Sequence, residues 1–126
     1  HRDEFSETVG YKIEGKNKTA LFIPDINKWE KWRKNIVEEV QKVDYALLDA
    51  TFFKEGEINR PMSEIPHPFI EETIHLFKNE DIATKNKVVF IHFNHTNPAL
   101  QTISKEKSKA EKLGFNFAFE GMNIDL

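Results

Sequence analysis

The chain has 126 residues and a formal net charge of −3, which is length enough for one domain with a real core and leaves no basic surplus pointing to nucleic acid. It has no cysteine, so a disulfide framework, a thiolate metal site and a cysteine nucleophile are excluded. Any metal would be held by His, Asp and Glu, a donor set suited to zinc, manganese or iron, and no apolar run approaches the ~20 residues that a membrane-spanning helix needs.

The chain opens on HRDE with no Met and is expected to be a piece of something longer. Its compartment, cytoplasmic or bacterial periplasmic, stays open. Composition alone reads His1 as part of a frayed polar terminus. Residues 9–14 (VGYKIE) alternate apolar and polar as a half-buried strand does. GKNK at 15–18 is a turn, and TALFI at 19–23 is a second, more apolar strand, so the two form a hairpin. Pro24 ends the second strand because it has no donor for a ladder. Asp25 follows, either as a turn or capping residue or as a metal-binding carboxylate at a strand end.

Asn27 is placed to cap a helix over 28–42, in which Trp29, Trp32, Ile36, Val40 and Val43 form one apolar stripe. The tryptophan pair reads as core rather than as a ligand platform. Residues 45–48 form a third strand that runs into Asp49. Residues 54–66, with Gly56, Pro61 and Pro66, form a loop of a length that in small domains often serves function. His67-Pro68 opens the next helix, whose apolar face is Phe69, Ile70, Ile74 and Phe77; His67 is either a capping group or a base or ligand. His75 reads as surface, and 79–87 as a polar connection.

VVFIHFNHTNP at 88–98 is the stretch around which the chain is organised. Its continuous apolar start suits a strand covered on both faces. Polar residues appear where that strand ends, and open α/β folds place their sites at the carboxyl ends of strands. One loop can present both His92 and His95; either one of them is a hydrogen-bonded structural histidine, or both belong to a site. Pro98 starts a helix to about Leu113, with KEKSK at 105–109 read as a solvated face rather than a binding patch. Gly114 is its C-cap, 115–119 alternate as a strand, and Glu120-Gly121 turns into a short strand at 122–124. The order is β-β-α-β-α-β-α-β-β, one α/β unit whose strands repeatedly end in His or Asp.

In order, these segments resemble the C-terminal half of the metallo-β-lactamase-fold hydrolases. FIPD at 22–25 is similar to the strand that ends in the carboxylate bridging two metals. LLDATF at 47–52 resembles the His-Glu-Ala-Thr segment of ribonuclease Z relatives, with Asp49 in the place of the Glu. IPH at 65–67 resembles the later catalytic histidine segment. FIHFNHTNP at 90–98 resembles the final metal-ligand histidine segment; His92 is the matching residue, and His95 falls where relatives often carry Asn. NHTNP at 94–98 and AFEGM at 118–122 are most similar to the pyrroloquinoline-quinone biosynthesis protein B-like group. That group lacks the bridging Asp and the preceding His, whereas this chain has Asp25 and His1, a departure that favours a metal-dependent hydrolase of the wider family.

The resemblance implies a single partial domain over 1–126: one β-sheet plus helices from a four-layer αββα sandwich, with the N-terminal half and its first metal motif absent. It implies two divalent metals in the full-length protein, zinc first and manganese or iron as alternatives, with the isolated chain expected to be inactive and its own metal occupancy open. Metal ligands would be His1, Asp25 and His92; His67, oriented by Asp49, would act on the leaving oxygen. A metal-bridging hydroxide would then hydrolyse a phosphodiester, or else an ester or lactone. Expected partners are a small-molecule phosphoester or ester substrate, the missing N-terminal half and a second copy of the chain, since half a sandwich leaves a sheet face bare. A reading from another class is a non-catalytic protein of the protein B-like group, or a self-associating half-domain.

Overall fold

Three aliphatic runs form the centre of the sheet as parallel neighbours: β2 (Thr19–Ile23), β3 (Tyr45–Asp49) and β4 (Val88–Ile91). The structure, a computed structural model, describes residues 7–126. β1 (Tyr11–Glu14) pairs antiparallel with β2 through the 15–18 turn, and β5 (Asn116–Phe117) adds parallel to β4. The sheet order is therefore β1-β2-β3-β4-β5.

Register aligns Leu21, Ala46 and Val88 across the sheet, with Ile23, Leu48, Phe90 and Phe117 in the row above. All seven are buried in one apolar core with Ile36 and Val40 of α1 (Ile36–Gln41), Ile70 of α2 (Ile70–Leu76) and Ala110 of α4 (Lys105–Lys112). Phe115 meets Phe90 and Phe77 at ring-centroid distances of 5.7 and 6.2 Å, in the stacked and edge-on arrangements that aromatic pairs prefer. The opposite face is thinner. Phe22, Tyr45, Leu47 and Ile91 are half-buried there, and Tyr11 and Ile13 remain 57% and 44% exposed.

The hairpin and the three strands ending near Ile23, Asp49 and Ile91 match expectation, while the helices are shorter than their periodicity suggests. The 28–42 stripe divides into a 3₁₀ turn, Trp29–Lys31, and α1. Asn35 is extended and its side chain accepts from the N–H groups of Val37 and Glu38, so the helix restarts there. The Asn27 side chain accepts from the adjacent Lys28 N–H rather than from a helix N-terminus further on. The expected 98–113 helix divides likewise, into Pro98–Leu100 and α4, because Ser104 caps the Lys107 N–H.

The 79–87 connection contains a further helix, α3 (Ile82–Asn86), capped by Asp81 on the Thr84 N–H. The 122–124 strand does not form. After Gly121, at φ 84°, the chain leaves the sheet edge and ends with Leu126 so close to Gly15 that a β-carbon there would clash. Among the described residues no helix is long and apolar enough to cross a membrane.

Candidate functional site

Parallel β2, β3 and β4 finish at one edge of the sheet, so the residues following them are neighbours whatever their distance in sequence. Asp49 is the last residue of β3 and is fully buried. Its Oδ1 accepts from the Thr51 N–H at 2.9 Å and the Thr51 hydroxyl at 2.6 Å. Its Oδ2 accepts from the Ile26 N–H at 3.1 Å and lies 2.8 Å from His67 Nδ1. A carboxylate has about four acceptor positions, and all four are used. Asp49 thereby ties together the loop carrying Asp25, the segment after β3 and the His67 loop.

His67 does not cap α2, which starts at Ile70 with Phe69 as its N-cap residue. The ring is instead held from the loop, packing edge-on to Phe52 at a centroid distance of 6.0 Å. Phe52, Ile65 and Phe69 form a second small core, with Ile58 and Met62 against it, so the 54–66 loop is anchored on both sides of its 3₁₀ turn Met62–Glu64. Near the start of that loop, Glu57 accepts from the Phe53 and Lys54 N–H groups; burial pushes its carboxyl above the usual range, against the pull of those two donors.

Thr51 is the residue that sequence reasoning missed. Its hydroxyl donates to Asp49, so its lone pairs face His92 Nδ1 at 3.0 Å and His67 Nδ1 at 3.2 Å. This network places a proton on Nδ1 of both rings, so the neutral form of each has its lone pair on Nε2, the arrangement in which a histidine can bind metal or take a proton. His92 directly follows β4, is half exposed and has φ 61°, in the left-handed region rarely used by residues other than Gly. A backbone strained in this way is often retained where it aims a functional side chain. Behind it Asn97, buried, donates to the carbonyls of Ala50 and Thr51, and the Asn94 N–H also donates to Thr51 O. These bonds lock the ends of β3 and β4 together.

Asp25, two residues beyond β2, is 38% exposed at its side chain and has Oδ1 3.5 Å from His67 Nδ1. Asp25, Asp49 and His67 each bring one ligand-type atom within 4.8 Å of the others. Asp49 has its four acceptor positions occupied and is fully buried, whereas the Asp25 side chain is 38% exposed. Lys28 further fixes the Asp25 loop: it is buried, sits 4.5 Å from the centre of the Phe69 ring and bonds Glu72 at 2.6 Å. Glu72 also accepts from the Phe69 N–H, so one ion pair joins the Asp25 loop to the start of α2. Of the expected site residues, Asp25, Asp49, His67 and His92 thus converge, and His1 lies outside the described residues. His95 is exposed, as is His75.

Residues 1–93 match the family described as Beta-lactamase superfamily domain, and the chain belongs to it. Within that class it is similar to Coenzyme PQQ synthesis protein B of Gluconobacter oxydans, 30% identical over 95% of this chain and 40% of that protein, and of Cupriavidus taiwanensis, 22% identical over 100% of this chain and 43% of that protein. Its fold matches the crystal structure of Zn(2+)-bound PqqB from Methylobacterium extorquens with a TM-score of 0.71, at 24% identity over 94% of this chain and 44% of that one. The fold is that of the metallo-β-lactamases, here one sheet with its helices, and the chain spans about two fifths of the length of these relatives.

Proposed function

We propose that this chain carries the ligand-orienting part of a metal-dependent hydrolase of phosphodiester type, completed in the full-length protein by residues outside it. The observation that supports this is the saturation of Asp49, which holds three loops and, directly or through Thr51, two imidazoles in one geometry. The donor set fits a divalent metal such as zinc. Asp25 offers a half-exposed carboxylate, and His92 offers an Nε2 lone pair because its Nδ1 is bonded to Thr51. Asp25 and His92 would hold it, with His1 as a third ligand. A metal bound there would supply Lewis acidity and lower the pKa of water toward neutrality.

The chain's own residues supply the rest. Asp49 and Thr51 hold the His67 proton on Nδ1, leaving the Nε2 lone pair to take the proton released by the attacking water and pass it to the leaving oxygen of the ester as its bond to phosphorus breaks. Asp49 accepts rather than transfers protons and keeps the ring from rotating. The apolar cluster of Phe52, Ile65 and Phe69 shields the back of the imidazole from water.

The test is hydrolysis of bis(p-nitrophenyl) phosphate by the zinc-loaded full-length protein. Asp25→Asn is expected to lower zinc content and turnover together, whereas His67→Ala lowers turnover by about 10²–10⁴-fold and keeps the zinc. Equal zinc loss in both variants would overturn the division of roles. A second reading rests on the similarity to Coenzyme PQQ synthesis protein B: a protein that binds metal but acts in cofactor synthesis without hydrolysing such esters. Zinc binding with no turnover of phosphodiester, ester or lactone by the full-length protein would favour it.

A further inference from the structure

The helix-covered side of the molecule carries a groove of about 530 Å³ whose lining includes neither Asp25, Asp49, His67 nor His92. Its floor is apolar, formed by Phe53, Ile74, Ala110 and Phe115, with the 43%-exposed Leu113 at one end. Lysines 54, 78, 85, 105 and 109 stand around it, against two acids, Glu71 and Glu106. This is a local surplus of three positive charges in a chain whose net charge is −3.

Two of the lysines are engaged: Lys54 pairs with Glu106 at 2.8 Å, and Lys85 donates to the Lys78 carbonyl at 3.2 Å just beyond α2. Lys78, Lys105 and Lys109 are exposed and make no ion pair with any described acid. Lys105 and Lys109 lie one helical turn apart on α4, and Lys78 follows α2 across the groove. The run at 105–109, which reads in sequence as a solvated face, therefore has two of its lysines on the rim of an apolar trough.

We propose that this groove docks an acidic segment of a partner protein that carries one or two large apolar side chains. Charge complementarity selects the sign. The spacing selects a chain rather than a small anion: the cations are spread over α3, α4, the residues after α2 and the loop after β3 instead of converging on a point, as a single phosphate or carboxylate would require. The apolar floor takes the anchoring side chains, and the lysines set register and speed encounter.

The experiment is fluorescence anisotropy of the full-length protein with a labelled twelve-residue peptide alternating Glu with Leu and Phe. Comparators are a peptide of equal charge with Ser in place of the apolar residues, and phosphatidylglycerol vesicles. The proposal expects the apolar acidic peptide to bind at least tenfold more tightly than the Ser peptide and to weaken as salt rises. The Lys105→Glu/Lys109→Glu double variant should weaken it at least tenfold. Leu113→Ser should narrow the gap between the two peptides while circular dichroism and zinc content stay unchanged. Absence of binding, binding that survives the double charge reversal, or binding of the vesicles in place of the peptide would each overturn it.

Discussion

The carboxyl end of β3 keeps its charge, Asp49, inside the molecule, whereas the groove between α2 and α4 displays its charges to solvent. Asp49 is wholly buried with every acceptor position used, while Lys78, Lys105 and Lys109 are exposed and unpaired with any described acid. A polar group committed inside the protein fixes geometry, and its loss costs stability because the partners it leaves behind stay dry. An uncommitted surface charge costs nothing to the fold when removed and acts only on what approaches it. Burial and saturation thus separate positioning groups from recognition groups on one small sheet.

The strongest way to break that contrast is Asp49→Ala. It strands the Ile26 and Thr51 N–H groups and the His67 proton in a buried space, and it is expected to destabilise the protein by about 3–5 kcal/mol, since each buried donor left unsatisfied costs about 1–3 kcal/mol. Lys105→Ala should stay within about 0.5 kcal/mol of the parent. Urea unfolding measures both, and equal losses would erase the distinction. In protein that remains folded, Asp49→Ala should also lower turnover more than it lowers metal content.

Thr51→Val comes next and sharpens the contrast within the site. It keeps the shape and removes the hydroxyl that joins Asp49 to the two imidazoles. The expected loss is about 1–3 kcal/mol of stability together with roughly 10-fold weaker zinc binding, as when an outer partner of a metal-bound histidine is lost. Competition with a chromophoric chelator measures the affinity, and nitrogen chemical shifts of His92 report its tautomer. Unchanged zinc affinity with a rearranged tautomer would separate Thr51 from the metal reading.

The parallel strands were legible because strands buried on one face and at least half-covered on the other read as continuous apolar runs, and the polar residues ending them stand out against that background. Asp25, Asp49 and His92 stand out in the sequence for this reason, and the topology brings their three strand ends to one edge. The helices were less legible. The stripe from Trp29 to Val40 fits a continuous helix, but Asn35 competes for the backbone and divides it. α3 was invisible because one turn shows no periodicity, although Asp81 as its cap was a local signal. Thr51 could not be singled out as a hub, because a lone Thr after a strand acquires its role only from side chains 16 and 41 residues away.

The smallest expected effect falls where the two regions meet. Glu57 accepts from the N–H groups of Phe53, on the floor of the groove, and Lys54, on its rim, and both follow the strand that ends in Asp49. Burial raises its carboxyl above the ordinary value, so the folded protein holds this proton more tightly than the unfolded chain. The stability Glu57 contributes is therefore full below its unfolded pKa and is lost as pH rises through its raised folded value. Glu57→Gln keeps an oxygen for the two N–H groups and removes the charge that burial disfavours. It should match the parent near about pH 4 and exceed it near about pH 7, by under about 1 kcal/mol because the group is only partly buried. Urea midpoints at the two pH values decide it. A gap that stays constant with pH, or that favours the parent at the higher value, would mean that the backbone donors outweigh desolvation and that Glu57 anchors the loop as a carboxylate.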